Sequence, residues 1–91
     1  MTKPNCKHHI VPEYLSDLNK TAQDLADMPY DKLAEFFYYF KMKLLIDSEN
    51  DGKGGHPTLS NGLLKTSLKS EELEEEFNKI WKICKPYMKD V

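Results

Sequence analysis

Apolar residues recur along this chain at spacings of three and four, the period of an amphipathic helix, and nowhere alternate as they would in a strand. Val11, Leu15, Leu18, Ala22 and Leu25 form a first stripe, flanked by Tyr14 and set among polar residues. Pro12 suits the first turn, where its missing N–H costs nothing. The segment should end near Asp27-Met28-Pro29, because the residue before a proline is pushed out of helical geometry. A first helix is therefore predicted over about 11–27.

Pro29 opens the next helix, predicted near 30–47, with Asp31 favourable in its first turn. This segment is the most apolar of the chain and carries two stripes. Leu33, Phe36, Phe37, Phe40 and Leu44 make one; the three phenylalanines are expected in the core. Ala34, Tyr38, Met42 and Leu45 make the other, with Tyr39 and Ile46 further round. A helix with one buried face needs only one stripe. The second is expected to meet either the helical segment near 59–68 or another chain, because Tyr and Met are enriched at interfaces.

Residues 47–56 read as a ten-residue break, holding three carboxylates and three of the four glycines. Pro57 then starts a short helix near 58–67, carrying Leu59, Leu63, Leu64 and Leu68. The five-residue interval from Leu68 to Leu73 fits neither three nor four, so an interruption is predicted near Ser67–Ser70. A last helix follows near 70–88, with Ser70 as N-cap, glutamates in its first turns and lysines toward its end. Its apolar face is Leu73, Phe77, Ile80, Trp81, Cys84 and Met88, with Tyr87 at the edge. The fold class expected is all-α: a small antiparallel bundle of three main helices plus one short helix, over 11–91, preceded by a flexible arm at 1–10.

Composition narrows the function. The 91 residues include 13 basic side chains, every one a lysine, and the formal net charge is −2. Without arginine's planar fork, nucleic-acid recognition is disfavoured. No apolar run approaches the roughly 18 residues needed to span a bilayer, so no membrane partner is expected. A cytoplasmic location is expected, with Cys6 and Cys84 reduced.

The remaining chemistry is thin. Asp47, Glu49 and Asp51 place oxygen donors at the first, third and fifth positions of 47–58, and Gly52 follows at the sixth. This half of the segment resembles the calcium loop of EF-hand proteins. The resemblance implies a weak calcium-like site. The second half departs from the pattern: Gly54 replaces the apolar anchor, and Thr58, preceded by Pro57, replaces the bidentate glutamate. Cys6, His8, His9, His56 and Cys84 lack the spacing of a zinc site. No cysteine or histidine lies in a nucleophile or phosphate-loop frame. The sequence therefore predicts no enzyme and no cofactor. It predicts a small interaction or regulatory module, binding a protein partner or a second copy of itself through Tyr38, Tyr39, Met42, Leu45 and Ile46. The alternative is a cation-responsive helical protein built on Asp47, Glu49 and Asp51.

Overall fold

A computed structural model describes residues 17–87. The expected arm at 1–10, the first part of the first helix, and Met88 lie outside the described residues. Three α-helices follow one another: α1 (Leu18–Ala26), α2 (Tyr30–Lys53) and α3 (Pro57–Cys84), with a 3₁₀ turn at Lys85–Tyr87 and no strand among the described residues. The protein is a small all-α helical bundle.

Local chemistry fixes most of the boundaries. The Asp17 side chain accepts the backbone N–H of Lys20 at 3.0 Å and caps α1. Pro29 is the N-cap of α2, and Asp31 sits in its first turn. Pro57 opens α3 at its first turn. Pro86 lacks an N–H and would collide with the preceding turn, so α3 gives way to the 3₁₀ turn that contains it.

The break expected at 47–56 is much shorter. α2 continues to Lys53, and only residues 54–56 connect it to α3. Two ion pairs four residues apart, Lys43–Asp47 and Glu49–Lys53, support the polar end of α2. The helix then closes in a Schellman motif. The N–H of His56 donates to the Asp51 carbonyl at 2.9 Å, and that of Gly55 to Gly52 at 3.2 Å. Gly55 has φ of +82°, a left-handed conformation that side-chain-bearing residues adopt only at a cost.

The interruption predicted near Ser67–Ser70 is absent, and α3 is one helix of 28 residues. Ser70 does not cap a helix start. Its hydroxyl donates to the Phe37 carbonyl of α2 at 2.8 Å. The anomalous interval from Leu68 to Leu73 arises because neither leucine lies on the face that meets α2; both are exposed.

Contacts between α2 and α3 run from Ser48–Ser60 beside the turn, through Phe37–Ser70, to the Tyr30–Phe77 ring pair at the open end. The chain therefore folds back on itself as a helical hairpin. α1 has no buried residue. Its Ala22, Leu25 and Ala26 line a groove with Tyr30, Leu33 and Phe36. The described body measures 56 × 29 × 14 Å, with a radius of gyration of 16.3 Å. A compact 100-residue domain would have a radius of about 13 Å. The fold is elongated, and each long helix buries only the strip that faces the other.

Candidate functional site

The hairpin seam has the three–four spacing of packed helices. On α2 it comprises Tyr30, Ala34, Phe37, Lys41, Leu44, Ser48 and Asp51. On α3 it comprises Ser60, Leu63, Ser67, Ser70, Glu74 and Phe77, with Trp81 and Cys84 continuing the stripe past the start of α2. All of them are buried or half-buried. Near the turn the seam is made of small polar residues. The Ser48 hydroxyl donates to the Ser60 carbonyl at 2.7 Å, and the Ser60 hydroxyl to the Ser48 carbonyl at 2.7 Å. A Cβ on Gly52 would lie 3.1 Å from the Ser60 hydroxyl, so glycine there allows the backbones to approach closely. Ser67, 1% exposed, donates to the Leu64 carbonyl at 2.6 Å. Buried hydroxyls are thereby paired, as burial requires.

The middle of the seam is an ion pair. Lys41 Nζ lies 3.1 Å from Glu74 and 3.9 Å from Glu71, with side-chain exposures of 14% for Lys41 and 23% for Glu74. The same ammonium stands 4.8 Å from the Tyr38 ring centroid, a cation–π contact. The open end is aromatic. Phe77 stacks on Phe37 with centroids 5.6 Å apart and on Tyr30 at 6.1 Å.

Small and charged residues share the seam with Tyr30, Phe37, Leu44, Leu63 and Phe77, and many other large apolar side chains stand outside it. Leu33 and Ala34 are the hydrophobic residues buried among those described. Phe36 and Phe40, expected in the core, are exposed; only Phe37 of that trio lies in the seam. Leu64, Leu68, Leu73, Ile80 and Ile83 of α3 are exposed as well.

The candidate partner-binding residues fall on the outward side of α2. Tyr39 is 61% and Ile46 53% exposed; Tyr38 and Met42 are also exposed, and Leu45 is half-buried. Residues 59–68 of α3 leave Tyr38, Tyr39, Met42 and Ile46 uncovered. A helix advances about 100° per residue. On that wheel Tyr39, Met42 and Ile46 lie on the side away from α3, while Tyr38 and Leu45 lie between that side and the seam.

The candidate cation ligands are placed differently from a calcium loop. The sharp turn required at Gly52 is replaced by helix. Steps of two residues in a helix rotate about 200°, so Glu49 points away from Asp47 and Asp51. Asp47 pairs with Lys43, Glu49 pairs with Lys53 at 3.0 Å, and Asp51 is buried. Among the described residues no three His, Cys, Asp or Glu side chains gather closely enough to hold a metal ion. Cys84 is half-buried and free. Cys6, His8 and His9 lie outside the described residues. Among those residues, no helix is long and apolar enough to cross a membrane.

Several residues of this arrangement escape a reading based on hydrophobic stripes. The hydroxyls of Ser48, Ser60 and Ser70 hydrogen-bond across to the facing helix, and Ser67 is buried between the two. Their signal in the sequence is the spacing of small residues across 60, 67 and 70, in phase with Phe77 and Trp81. Comparison with protein-family models, curated proteins and solved structures finds no match.

Proposed function

We propose that this protein is a non-enzymatic interaction module that works as a homodimer, and that its working surface is the outward side of α2. The observation that carries this reading is the exposure of large apolar side chains on α2 while small and charged residues take part of its buried strip. Ala34, Lys41, Ser48 and Asp51 share the strip against α3 with Tyr30, Phe37 and Leu44, while Tyr39, Met42 and Ile46 face outward and Tyr38, beside them, is also exposed. Large apolar groups left in water gain on the order of 1.5–3 kcal/mol each on full burial. Among the described residues, neither α1 nor α3 covers them. Tyr and Met at the centre with charged residues at the ends match the anatomy of a protein interface, apolar in the middle and polar at the rim. The reading places the protein in the cytoplasm.

Sedimentation velocity over a concentration series tests the proposal. The chain is expected to sediment at twice its 10.6 kDa mass at high concentration and to dissociate on dilution. Met42→Glu is expected to sediment as a monomer with unchanged helix content. A wild-type chain that stays monomeric throughout, or a Met42→Glu variant that dimerises as well as wild type, would sink it.

A further inference from the structure

Seven residues repeat at the three–four spacing on the outward side of α2: Lys32, Glu35, Tyr39, Met42, Ile46, Glu49 and Lys53. All are exposed. The stripe is thus a second seam, in the same spacing as the one that meets α3, with three apolar residues at its centre and a lysine and a glutamate at each end. The charges are partnered within the helix, Lys32 with Glu35 at 3.5 Å and Glu49 with Lys53 at 3.0 Å, but remain largely in solvent. The Tyr39 hydroxyl reaches Glu35 at 3.4 Å.

Charge excludes most ways of covering this stripe with itself. In a parallel, in-register pair every charge would face its own copy, lysine on lysine and glutamate on glutamate. In an antiparallel pair that keeps the alternation of threes and fours, two registers overlap substantially. One sets Lys32 against Glu49 and Tyr39 against Met42, but drives Glu35 onto Ile46, burying a carboxylate against an apolar side chain. The other sets Met42 against Ile46, the Tyr39 hydroxyl against the Glu49 carboxylate, and Glu35 against Lys53. Every facing pair in that register is complementary, and the twofold axis passes at the level of Leu44.

Resting on the reading of this chain as a self-associating module, we infer that a second copy docks along Glu35–Lys53 in the opposite direction, with Met42 of each copy against Ile46 of the other and Glu35 of each against Lys53 of the other. The exposed ion pairs exchange partners between copies, so they set direction and register more than affinity. The contact spans 19 residues, 35–53, about 28 Å of helix on each copy at 1.5 Å per residue, and Tyr38 and Leu45 flank it.

Charge reversal and cross-linking on the full chain test direction and register separately from dimerisation itself. Glu35→Lys and Lys53→Glu are each expected to weaken the dimer about tenfold, and the double variant Glu35→Lys/Lys53→Glu to restore it. In a Cys6→Ser/Cys84→Ser background, oxidising Glu35→Cys mixed with Lys53→Cys is expected to give a cross-linked dimer, whereas either variant alone gives none. Self-cross-linking of Glu35→Cys, or a double charge variant as weak as its parents combined, overturns the antiparallel register even if the protein is a dimer. A wild-type chain that never dimerises overturns the inference and the underlying reading together.

Discussion

α2 carries two stripes of the same period, and they differ in what they hold. The stripe against α3 contains Ala34, Lys41, Ser48 and Asp51, with Phe37 and Leu44 as its large apolar members. The outward stripe has Tyr39, Met42 and Ile46 at its centre. Spacing alone makes them equivalent; side-chain size separates them. Small residues let two backbones come close enough for hydroxyls to reach across, as Ser48, Ser60 and Ser70 do. Near the turn that closeness leaves the seam little space for large side chains, whereas at the open end Tyr30, Phe37 and Phe77 fill it. Where apolar bulk sits is therefore a poor guide to which face packs within the chain; on the proposed reading it marks the face that meets a partner.

Adding bulk to the seam has the largest expected effect. Ser67→Leu inserts a large side chain at a site 1% exposed, and overpacking of this kind costs about 1–3 kcal/mol. Thermal unfolding followed by circular dichroism is expected to show a midpoint lower by on the order of 10 °C. An unchanged midpoint would mean that the helices are not closely packed there.

Next in size is the ion pair. Glu74→Leu leaves Lys41 with the more distant Glu71 as its carboxylate partner, beside the Tyr38 ring, and is expected to cost about 1–2 kcal/mol, reduced from a fully buried pair by the remaining solvent access. Lys41→Met/Glu74→Leu is expected to recover most of that loss, because apolar replacement of both partners is often neutral. A double variant whose loss equals the two single losses added would mean that Lys41 and Glu74 are not energetically coupled. Ser70→Ala removes one interhelical hydrogen bond and should cost about 1 kcal/mol in urea unfolding. Smallest is Ile46→Gln on the outward stripe. At concentrations where the chain is monomeric it should change stability by less than about 0.5 kcal/mol, while weakening association measured at higher concentration.

Helix type was legible throughout, because the three–four spacing, Pro29 and Pro57 mark where helices begin whatever their partners are. The excess of stripes on α2 was legible too, but not which residues it leaves outside: Ala34 of the second stripe is buried against α3, whereas Tyr38, Tyr39, Met42 and Ile46 are exposed. Three further features were not legible, each for a physical reason. Asp47–Lys53 looks like loop because Asp, Asn and Gly favour turns, yet ion pairs four residues apart and burial of Ser48 and Asp51 against α3 hold it helical. Ser67 and Ser70 look like a helix break because serine favours caps, yet burial against α2 keeps both within the helix. Phe36 and Phe40 look like core, yet they lie off the narrow strip that two helices share. In each case tertiary packing overrides a local preference.

The most direct test is isotope-filtered NMR on an equimolar mixture of labelled and unlabelled chains, which records only contacts between copies. The expected result is a contact from the Met42 methyl of one copy to Ile46 of the other, with none between Leu44 and Leu63. Intermolecular contacts between Leu44 and Leu63 would mean that the hairpin seam itself is exchanged between chains, and would contradict the assignment of one stripe to the fold and the other to the partner.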